Sequence, residues 1–256
     1  MEREGKYIYC VINARQERNF GPIGIGGRGD EVLTIGYEDL SMVVSNHPMT
    51  KHVIERENML AHEKVIEEVM KEFDSVLPVR FCTIAFSADE IRDLLDRRYR
   101  EFKNALKDMD HKIELGVKGI WRNMDIIFRE IGEENRVIKD LIETVKGIDN
   151  SKSIQTKREI GRLVKDALEK KEEKQTEEIV DKLRRISYDY KLNKTNGDEM
   201  FMNAAFLVDK GREKEFDNIM DDLSDEYAEK IRFMYAGPLP PYNFIDITIY
   251  PEEWEK

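Results

Sequence analysis

The chain has 256 residues, of which 37% are charged, and a formal net charge of −11 at pH 7. This length favours two domains over one. The negative charge argues against a general nucleic-acid-binding protein, because contacts of Lys and Arg with phosphates supply most non-specific affinity. No apolar run approaches the roughly 18–20 residues that cross a bilayer, and the N-terminal MEREGKY lacks the basic-then-apolar order of a signal peptide. We therefore predict a cytoplasmic protein without a membrane span.

The first part of the chain, residues 1–122, alternates between strand and helix patterns. Apolar residues recur at helical spacing in KHVIERENMLAHEKVIEEVMKEF, and Ser87 with Glu90 forms a capping box at the start of a second helix. These patterns predict an α+β sandwich in which helices cover one face of a sheet. The predicted strands cover residues 6–12, 31–37, 41–45, 76–86 and 111–121.

A glycine-rich stretch, GPIGIGGRGD, interrupts the first strands. Gly24, Gly26 and Gly29 have the G-x-G-x-x-G spacing of a dinucleotide-binding loop. That loop must follow a strand directly and open a helix, whose N-terminus receives the pyrophosphate. Here a long polar gap precedes the glycines, and DEVLTIGYEDLSMVVS after them indicates two strands hinged near Glu38–Asp39. We predict a surface loop.

The middle of the chain, residues 123–194, has a helical pattern. NMDIIFREIGEENRVIKDLIETVKGI predicts one helix or two, and the stretch from Ser153 to Leu192 contains no proline. Continuous, this second helix would be ~55–60 Å long, with the fully polar EKKEEKQTEE at its centre. Residues 151–194 carry a net charge of +4 (13 Lys and Arg, 9 Asp and Glu). This indicates either a solvated helix with interleaved charges or contact with an acidic partner or a neighbouring domain.

The last part predicts a β-α-β-β unit over residues 198–250. Its strands are EMFMNAAFLVD, IRFMYAG and FIDITIY, and a helix over KGREKEFDNIMDDLSDEYAEK joins the first two. The sequence thus predicts a second α+β domain with long helices over residues 123–256.

The chemistry of a catalytic or metal site is missing from the sequence. His47, His52, His62 and His111 form no H-E-x-x-H, and there is no P-loop or G-x-S-x-G motif. We interpret these histidines as solvated or capping residues, with a zinc site as the alternative. Cys10 and Cys82 lack a C-x-x-C partner, which is typical of buried reduced thiols. We predict no catalytic residue, no cofactor and no metal.

Two segments differ from ordinary core sequence. VLPVRFCT places Arg80 in the middle of an apolar strand, where it must pair with a carboxylate, reach an edge or face a partner. AGPLPPYNF contains three prolines in four residues, which fix φ and remove backbone donors, so a rigid, extended connection is expected. With Tyr235, Tyr242 and Phe244 around it, this segment suits packing between domains or an apolar ridge presented to another protein.

Five stretches together resemble the gas vesicle protein F/L family (GvpF/GvpL): YIYCVI, IGYEDLSMVVS, AHEKVIEEV, VLPVRFCT and GPLPPYNF. The most specific elements are L-P-V-R-F before a small residue and Thr, and G-P-x-P-P-Y-x-F. Cys82 stands where the family pattern has Gly. A Cys side chain opposes the close approach of backbone segments that a Gly permits at this position.

The resemblance implies a non-enzymatic accessory or minor structural protein of gas vesicles, the protein-walled organelles that give aquatic microbes buoyancy. Such proteins resemble a two-domain α+β fold with a ferredoxin-like N-terminal part. They are thought to act in assembly by binding the small, hydrophobic shell protein and other accessory proteins. The alternative is a small-molecule or nucleotide-binding regulatory protein.

A surface that binds this shell protein needs an anchor and a rigid apolar ridge. The expected protein-contact residues are Arg80, as an ionic anchor, and Pro240, Pro241, Tyr242 and Phe244, as the contact ridge or its support.

Overall fold

The computed structural model describes residues 4–49, 55–145 and 153–249. These residues form an α+β fold with ten strands in two sheets and seven α-helices. They divide into two compact units, neither of which is one continuous stretch of chain. Unit 2 contains the described part of Leu115–Phe206 and Arg212–Ala236, and unit 1 contains the rest. The sequence alone predicted instead a single boundary after residue 122.

Unit 1 is built on a mostly antiparallel sheet in the order β2-β3-β4-β1-β5, with the short β6 also paired to β1. The α+β class and the strand that follows the glycine-rich loop agree with the sequence prediction, whereas β2 forms where a polar gap was expected. The ferredoxin-like assignment of this part stays a prediction. The elements are β1 (Glu4–Asn13), β2 (Asn19–Gly21), β3 (Val32–Tyr37), β4 (Leu40–Pro48), α1 (Arg56–Glu72), β5 (Val76–Pro78), β6 (Ile84–Ala85), α2 (Ala88–Arg97) and α3 (Tyr99–Asp108).

Strand β1 is buried on both faces. One face packs with α2 and α3 through a cluster that includes Ile8, Val11 and Phe102. The other face packs with α1 through a cluster that includes Tyr9 and Val65. The expectation that helices cover one face of the sheet is therefore wrong. The unbroken apolar run YIYCVI explains the difference, because a strand covered on both sides needs no polar alternation.

Local signals set the helix boundaries in unit 1. The Ser87 hydroxyl accepts a hydrogen bond from the Glu90 N–H at 3.2 Å, as the capping box predicted. The helix that follows was expected to be continuous, but it breaks at Arg98, whose φ of −105° and ψ of 18° are not helical. The break lets two short helices, α2 and α3, follow the twisted sheet.

The second sheet has the order β10-β7-β9-β8 and belongs mostly to unit 2, with residues 112–114, 207–209 and 237–239 of its strands assigned to unit 1. Unit 2 also contains the long helices. Asn123 caps α4 and Asn135 accepts hydrogen bonds from the first N–H groups of α5, so the chain after β7 forms two helices. The remaining elements are β7 (Lys112–Trp121), α4 (Met124–Glu134), α5 (Arg136–Val145), α6 (Ser153–Leu183), β8 (Ser187–Leu192), β9 (Met200–Asp209), α7 (Glu213–Glu226) and β10 (Ile231–Leu239).

Helix α6 runs without interruption for 31 residues, about 46 Å at 1.5 Å per residue. It is therefore continuous through the fully polar EKKEEKQTEE. The helix pattern was expected to extend to Leu192, but Ser187–Leu192 forms β8. This edge strand pairs with β9, a partner that the local sequence does not reveal.

The described part of FIDITIY forms no strand, contrary to the sequence prediction; Tyr250 lies outside the described residues. Ile245, Ile247 and Ile249 instead pack against the core cluster of unit 1. The isoleucines alternate with other residues because one side of this irregular segment packs on the core.

Two glycines provide a matched test of packing in unit 2. A Cβ atom on Gly119 would lie 2.5 Å from the Phe201 ring, which stacks on Trp121 with 4.2 Å between ring centroids. We expect Gly119→Ala to destabilise the protein by about 1–3 kcal/mol through overpacking. Gly132 in α4 has open space around it, so Gly132→Ala is expected to raise stability by up to about 1 kcal/mol. Urea unfolding of both variants checks this, and equal effects would contradict the packing account.

Candidate functional site

The two segments singled out in the sequence meet in unit 1. The Arg80 Nη2 atom lies 3.4 Å from the Asp246 Oδ1 atom, although the residues are 166 positions apart in the chain. Both side chains are well exposed. Arg80 does not lie mid-strand, as the sequence suggested, because the predicted strand is broken into β5 and β6 by a turn over residues 79–83.

This turn is fixed to β1 at both ends. The Val79 N–H donates to the Tyr9 carbonyl and the Ile8 N–H donates to the Thr83 carbonyl, each at 2.9 Å. Within the turn, Cys82 has a φ of +68°, a conformation that favours glycine. The positive φ explains why the family pattern has glycine at this position. Cys82 adopts the same backbone conformation. Its N–H donates to the Tyr7 hydroxyl at 3.1 Å.

The proline-rich segment is a strand end followed by a turn. Residues 236–239 belong to β10, and the amides of Phe244 and Ile245 both donate to the Pro241 carbonyl at 3.0 Å. The expectation of one extended connection that joins no strand is therefore wrong. Pro240 and Pro241 are buried, so they support the surface and do not form it.

The buried Glu114 fixes the turn that follows Pro241. Its carboxylate is 3% exposed and accepts hydrogen bonds from the Asn243 backbone N–H at 2.8 Å and from the Asn243 amide at 2.6 Å. The sequence analysis missed Glu114, because a Glu in an alternating strand normally faces water. A buried carboxylate stays in place only where donors satisfy it, so the turn and the strand stabilise each other.

Tyr242 is the exposed aromatic residue of this turn, with 37% of its surface accessible. Burial of the hydroxyl end raises the pKa of Tyr242 well above its usual range, and the charges of Glu63 and Glu114 add to this. Glu63 belongs to α1, one helical turn after the exposed Met59 and Leu60. Phe244 is half-buried and packs on the core cluster of unit 1.

We name the exposed residues Met59, Leu60, Arg80, Tyr242 and Asp246 the contact face. Of the five residues expected from sequence, Arg80 and Tyr242 belong to it, and the other three support it from the core. Met59 and Leu60 were missed, because their helical spacing indicated a core-facing stripe.

A pocket of about 430 Å³ opens beside Pro241 in unit 1. Its apolar wall includes Met70, Phe73 and Ile113, and Lys71 lies at its margin. The pocket can accept an apolar side chain from a protein that covers the contact face.

A buried polar cluster lies beneath the contact face. His62 is 2% exposed, and its Nδ1 atom is 3.0 Å from the Tyr7 hydroxyl. The expectation of a solvated or capping histidine is therefore wrong for His62. Burial lowers the pKa of His62 to about 4, so the ring is neutral at pH 7. Phe81 of the first turn packs edge-on against this ring, with 5.6 Å between centroids.

The glycine-rich loop is part of the same cluster. Ile25 is fully buried, and its N–H donates to the Tyr9 hydroxyl at 2.8 Å, while the Gly24 N–H donates to the Asp30 carbonyl. Strand β3 follows the loop where a dinucleotide site needs a helix. The loop amides are thus used inside the fold, as the prediction of a surface loop without nucleotide allows.

Metal binding and membrane insertion are two other functions that the described residues can be compared with. Residues 4–49, 55–145 and 153–249 contain no group of three or more His, Cys, Asp or Glu placed to hold a metal ion. Over the same ranges, no helix has the length and apolarity to cross a membrane.

Comparison with known proteins gives one family. The model of the family "Gas vesicle synthesis protein GvpL/GvpF" matches residues 5–246. Gas vesicle protein F1 of Halobacterium salinarum is 28% identical over 98% of this chain and 97% of its own length. Gas vesicle protein F of Haloferax mediterranei is 26% identical over 95% of this chain and 94% of its own length. The crystal structure of GvpF from Anabaena has a TM-score of 0.83 and 20% identity, covering 96% of this chain and 100% of that one, which establishes the fold alone.

The buried His62 is expected to make the fold acid-sensitive. Its imidazole titrates near 6.5 in an unfolded chain and near 4 in the fold, so the unfolded state binds the proton first as the pH falls. Stability from this group is present above pH 6.5 and is lost towards pH 4, with a loss of about 2 kcal/mol between pH 7.5 and 5. Urea unfolding at both pH values measures the loss.

His62→Gln should lose less stability over this range than the parent chain, because the amide does not titrate. His111→Gln is the matched control, since the His111 side chain is 60% exposed. An equal loss in the parent and in His62→Gln would assign the acid sensitivity to another group.

Proposed function

Because this chain belongs to the GvpL/GvpF family of gas vesicle synthesis proteins, we propose that it binds the hydrophobic shell protein through the contact face during vesicle assembly. In this proposal it is an accessory protein that works in the cytoplasm and at the gas vesicle, and it also binds other accessory proteins. The family membership and the relatives named as gas vesicle proteins support the accessory role.

The observation that carries the proposal is exposed apolar area on elements that are already ordered. Tyr242 and Leu60 present apolar area to solvent; Leu60 lies on helix α1, and hydrogen bonds to Glu114 and β1 fix the turns that carry Tyr242 and Arg80. A surface that is fixed before binding loses little conformational entropy when a partner covers it. Such a surface suits a hydrophobic shell protein that must be kept soluble and then released to the growing vesicle wall.

The polar groups near the contact face support a binding role and not catalysis. Tyr7 and His62 hold each other and the first turn, and Glu114 holds the second turn. Tyr7, Glu114 and the Nδ1 atom of His62 each make a structural hydrogen bond within the fold. We therefore assign no catalytic step to this surface. The nucleotide-binding alternative gains no support, because the amides of Gly24 and Ile25 already donate within the fold.

Co-expression with a gas vesicle shell protein tests the proposal. We expect a defined complex after affinity purification, measured by light scattering. Leu60→Ser and Tyr242→Ala should each lower the co-purified shell protein about 5-fold or more, since one buried apolar side chain is worth about 1.5–3 kcal/mol. Leu33→Ser is the matched control: Leu33 is also exposed, at 43%, and β3 lies on the opposite side of β1 from β5.

Two outcomes would count against the contact face. If the shell protein pellets while this chain elutes alone, shell binding is wrong. If Leu33→Ser and Leu60→Ser lower the yield equally, another surface binds the client. Thermal unfolding of each variant separates loss of binding from loss of the fold.

Arg80 gives a second test that leaves the fold intact. Its ion pair with Asp246 is exposed, and such pairs contribute at most about 1 kcal/mol to stability. We expect Arg80→Glu to keep the thermal midpoint of the parent while it weakens shell-protein binding, if Arg80 is the ionic anchor. Unchanged co-purification would remove Arg80 from the site. Arg92→Glu, which breaks a comparable exposed pair with Asp89, is the control.

A further inference from the structure

Helix α6 contacts α4 through one lysine. Lys171 lies 3.1 Å from Glu130 and 3.0 Å from Glu134, both on α4, so this charge is neutralised inside unit 2. Another face of α6 carries carboxylates at helical spacing that line a groove with β8 and the start of β9. These groove carboxylates are Glu169, Glu172, Glu173, Glu177 and Asp181.

The groove has an apolar floor beneath this acidic rim. Its volume is about 510 Å³, and Val180, Phe201 and Met202 form buried parts of its lining. The Thr176 hydroxyl donates to the Phe201 carbonyl at 3.4 Å, which ties α6 to β9 at the base. The groove therefore combines apolar area with a predominantly negative rim.

The acidic rim is only partly compensated within the described residues, since Glu169 pairs with Lys165 at 3.7 Å. Arg184 is the cation among the described lining residues, and it pairs with Asp181 at 3.1 Å. Glu172, Glu173 and Glu177 have no Lys, Arg or His nitrogen within 4.0 Å among the residues that the structure describes. Burial raises the pKa of Glu172, and the charges of Glu169 and Asp198 add to this. The folded chain thus retains a repulsion that an external cation would relieve.

Among the described residues, the outer strand beside the groove pairs along one edge only. Strand β8 ends the sheet order, and Tyr190 and Leu192 line the groove. Tyr188 shares their face by strand alternation. Tyr188 is 63% exposed and Leu192 is 57% exposed. Tyr190 also stacks on Phe206, with 6.2 Å between ring centroids, and Phe206 packs against Phe216 of α7.

We propose that this groove binds a basic amphipathic helix of a partner protein. The partner's apolar side chains would cover Leu192 and Tyr188, and its Lys and Arg side chains would face Glu172, Glu173 and Glu177. From Glu169 to Arg184 the wall is ~22 Å long, which matches about four turns of helix. A helix completes the layer over β8 in the way that helices normally cover a sheet. The chain's net charge of −11 argues against a second copy as the occupant.

This inference goes beyond shell-protein binding, since the groove belongs to unit 2 and the contact face to unit 1. If the groove does not bind a helix, the proposal for the contact face still stands. If the contact face does not bind the shell protein, the proposal for the groove still stands.

A designed peptide is the probe. It is a fluorescein-labelled helix of about 15 residues, with Leu on one face and Lys on the other, titrated with the full chain by fluorescence anisotropy. The control peptide has Glu in place of Lys. We expect the basic peptide to bind with an affinity that falls as NaCl is raised, and the acidic peptide not to bind. Absence of binding by the basic peptide would overturn the proposal.

Two triple variants with the same change of charge locate the binding. Glu172→Gln with Glu173→Gln and Glu177→Gln neutralises the groove and should weaken the peptide at least 10-fold. The control neutralises exposed carboxylates of α7 and the residues after it, and should change the affinity less than 2-fold. Equal weakening in both would mean that the overall charge attracts the peptide, and would overturn the proposal. The control substitutions are Asp221→Asn, Asp222→Asn and Glu229→Gln.

Leu192→Ser tests the apolar contact while it keeps every charge. We expect weaker peptide binding and an unchanged thermal midpoint, because the side chain is mostly exposed in the free protein. Unchanged binding would show attraction by charge alone and would overturn docking of an amphipathic helix.

Discussion

The burial of Tyr7–Ile12 in β1 is the constraint on which the rest of unit 1 depends. A strand covered on both faces carries the hydroxyls of Tyr7 and Tyr9 into the core, where each must find hydrogen-bond partners. These partners come from segments far apart in the chain: His62 on α1, the Cys82 amide in the turn after β5, and the Ile25 amide in the glycine-rich loop. One strand thereby fixes a helix, a turn and a loop together.

The two candidate surfaces differ in the interactions that they offer to a partner. The contact face of unit 1 is apolar with a single exposed ion pair, and buried hydrogen bonds hold its turns before any partner arrives. The groove of unit 2 has uncompensated carboxylates above an apolar floor, so it favours partners of opposite charge. In the proposed assembly role, the contact face supplies weak apolar contact with the shell protein and the groove supplies charge-based selection among soluble partners.

Sequence reasoning succeeded where the signal and its partner are close in the chain. The Ser87 cap, the hinge near Glu38–Asp39 and the absence of a helix after the glycines are local features, and each appears as expected. It failed where the deciding partner is distant. Strand β8 continues a helical pattern but pairs with β9, and the alternating FIDITIY packs on the core without joining a strand.

The sequence by itself determined the family and the α+β class, because motifs and periodicity are properties of neighbouring residues. Only the tertiary structure decided which residues face solvent. It brings Arg80 to Asp246, buries Glu114 beneath Asn243, and turns a lysine of α6 towards α4. The reason is physical: a helix or strand pattern shows which residues share a face, but what covers that face depends on elements far away in the chain.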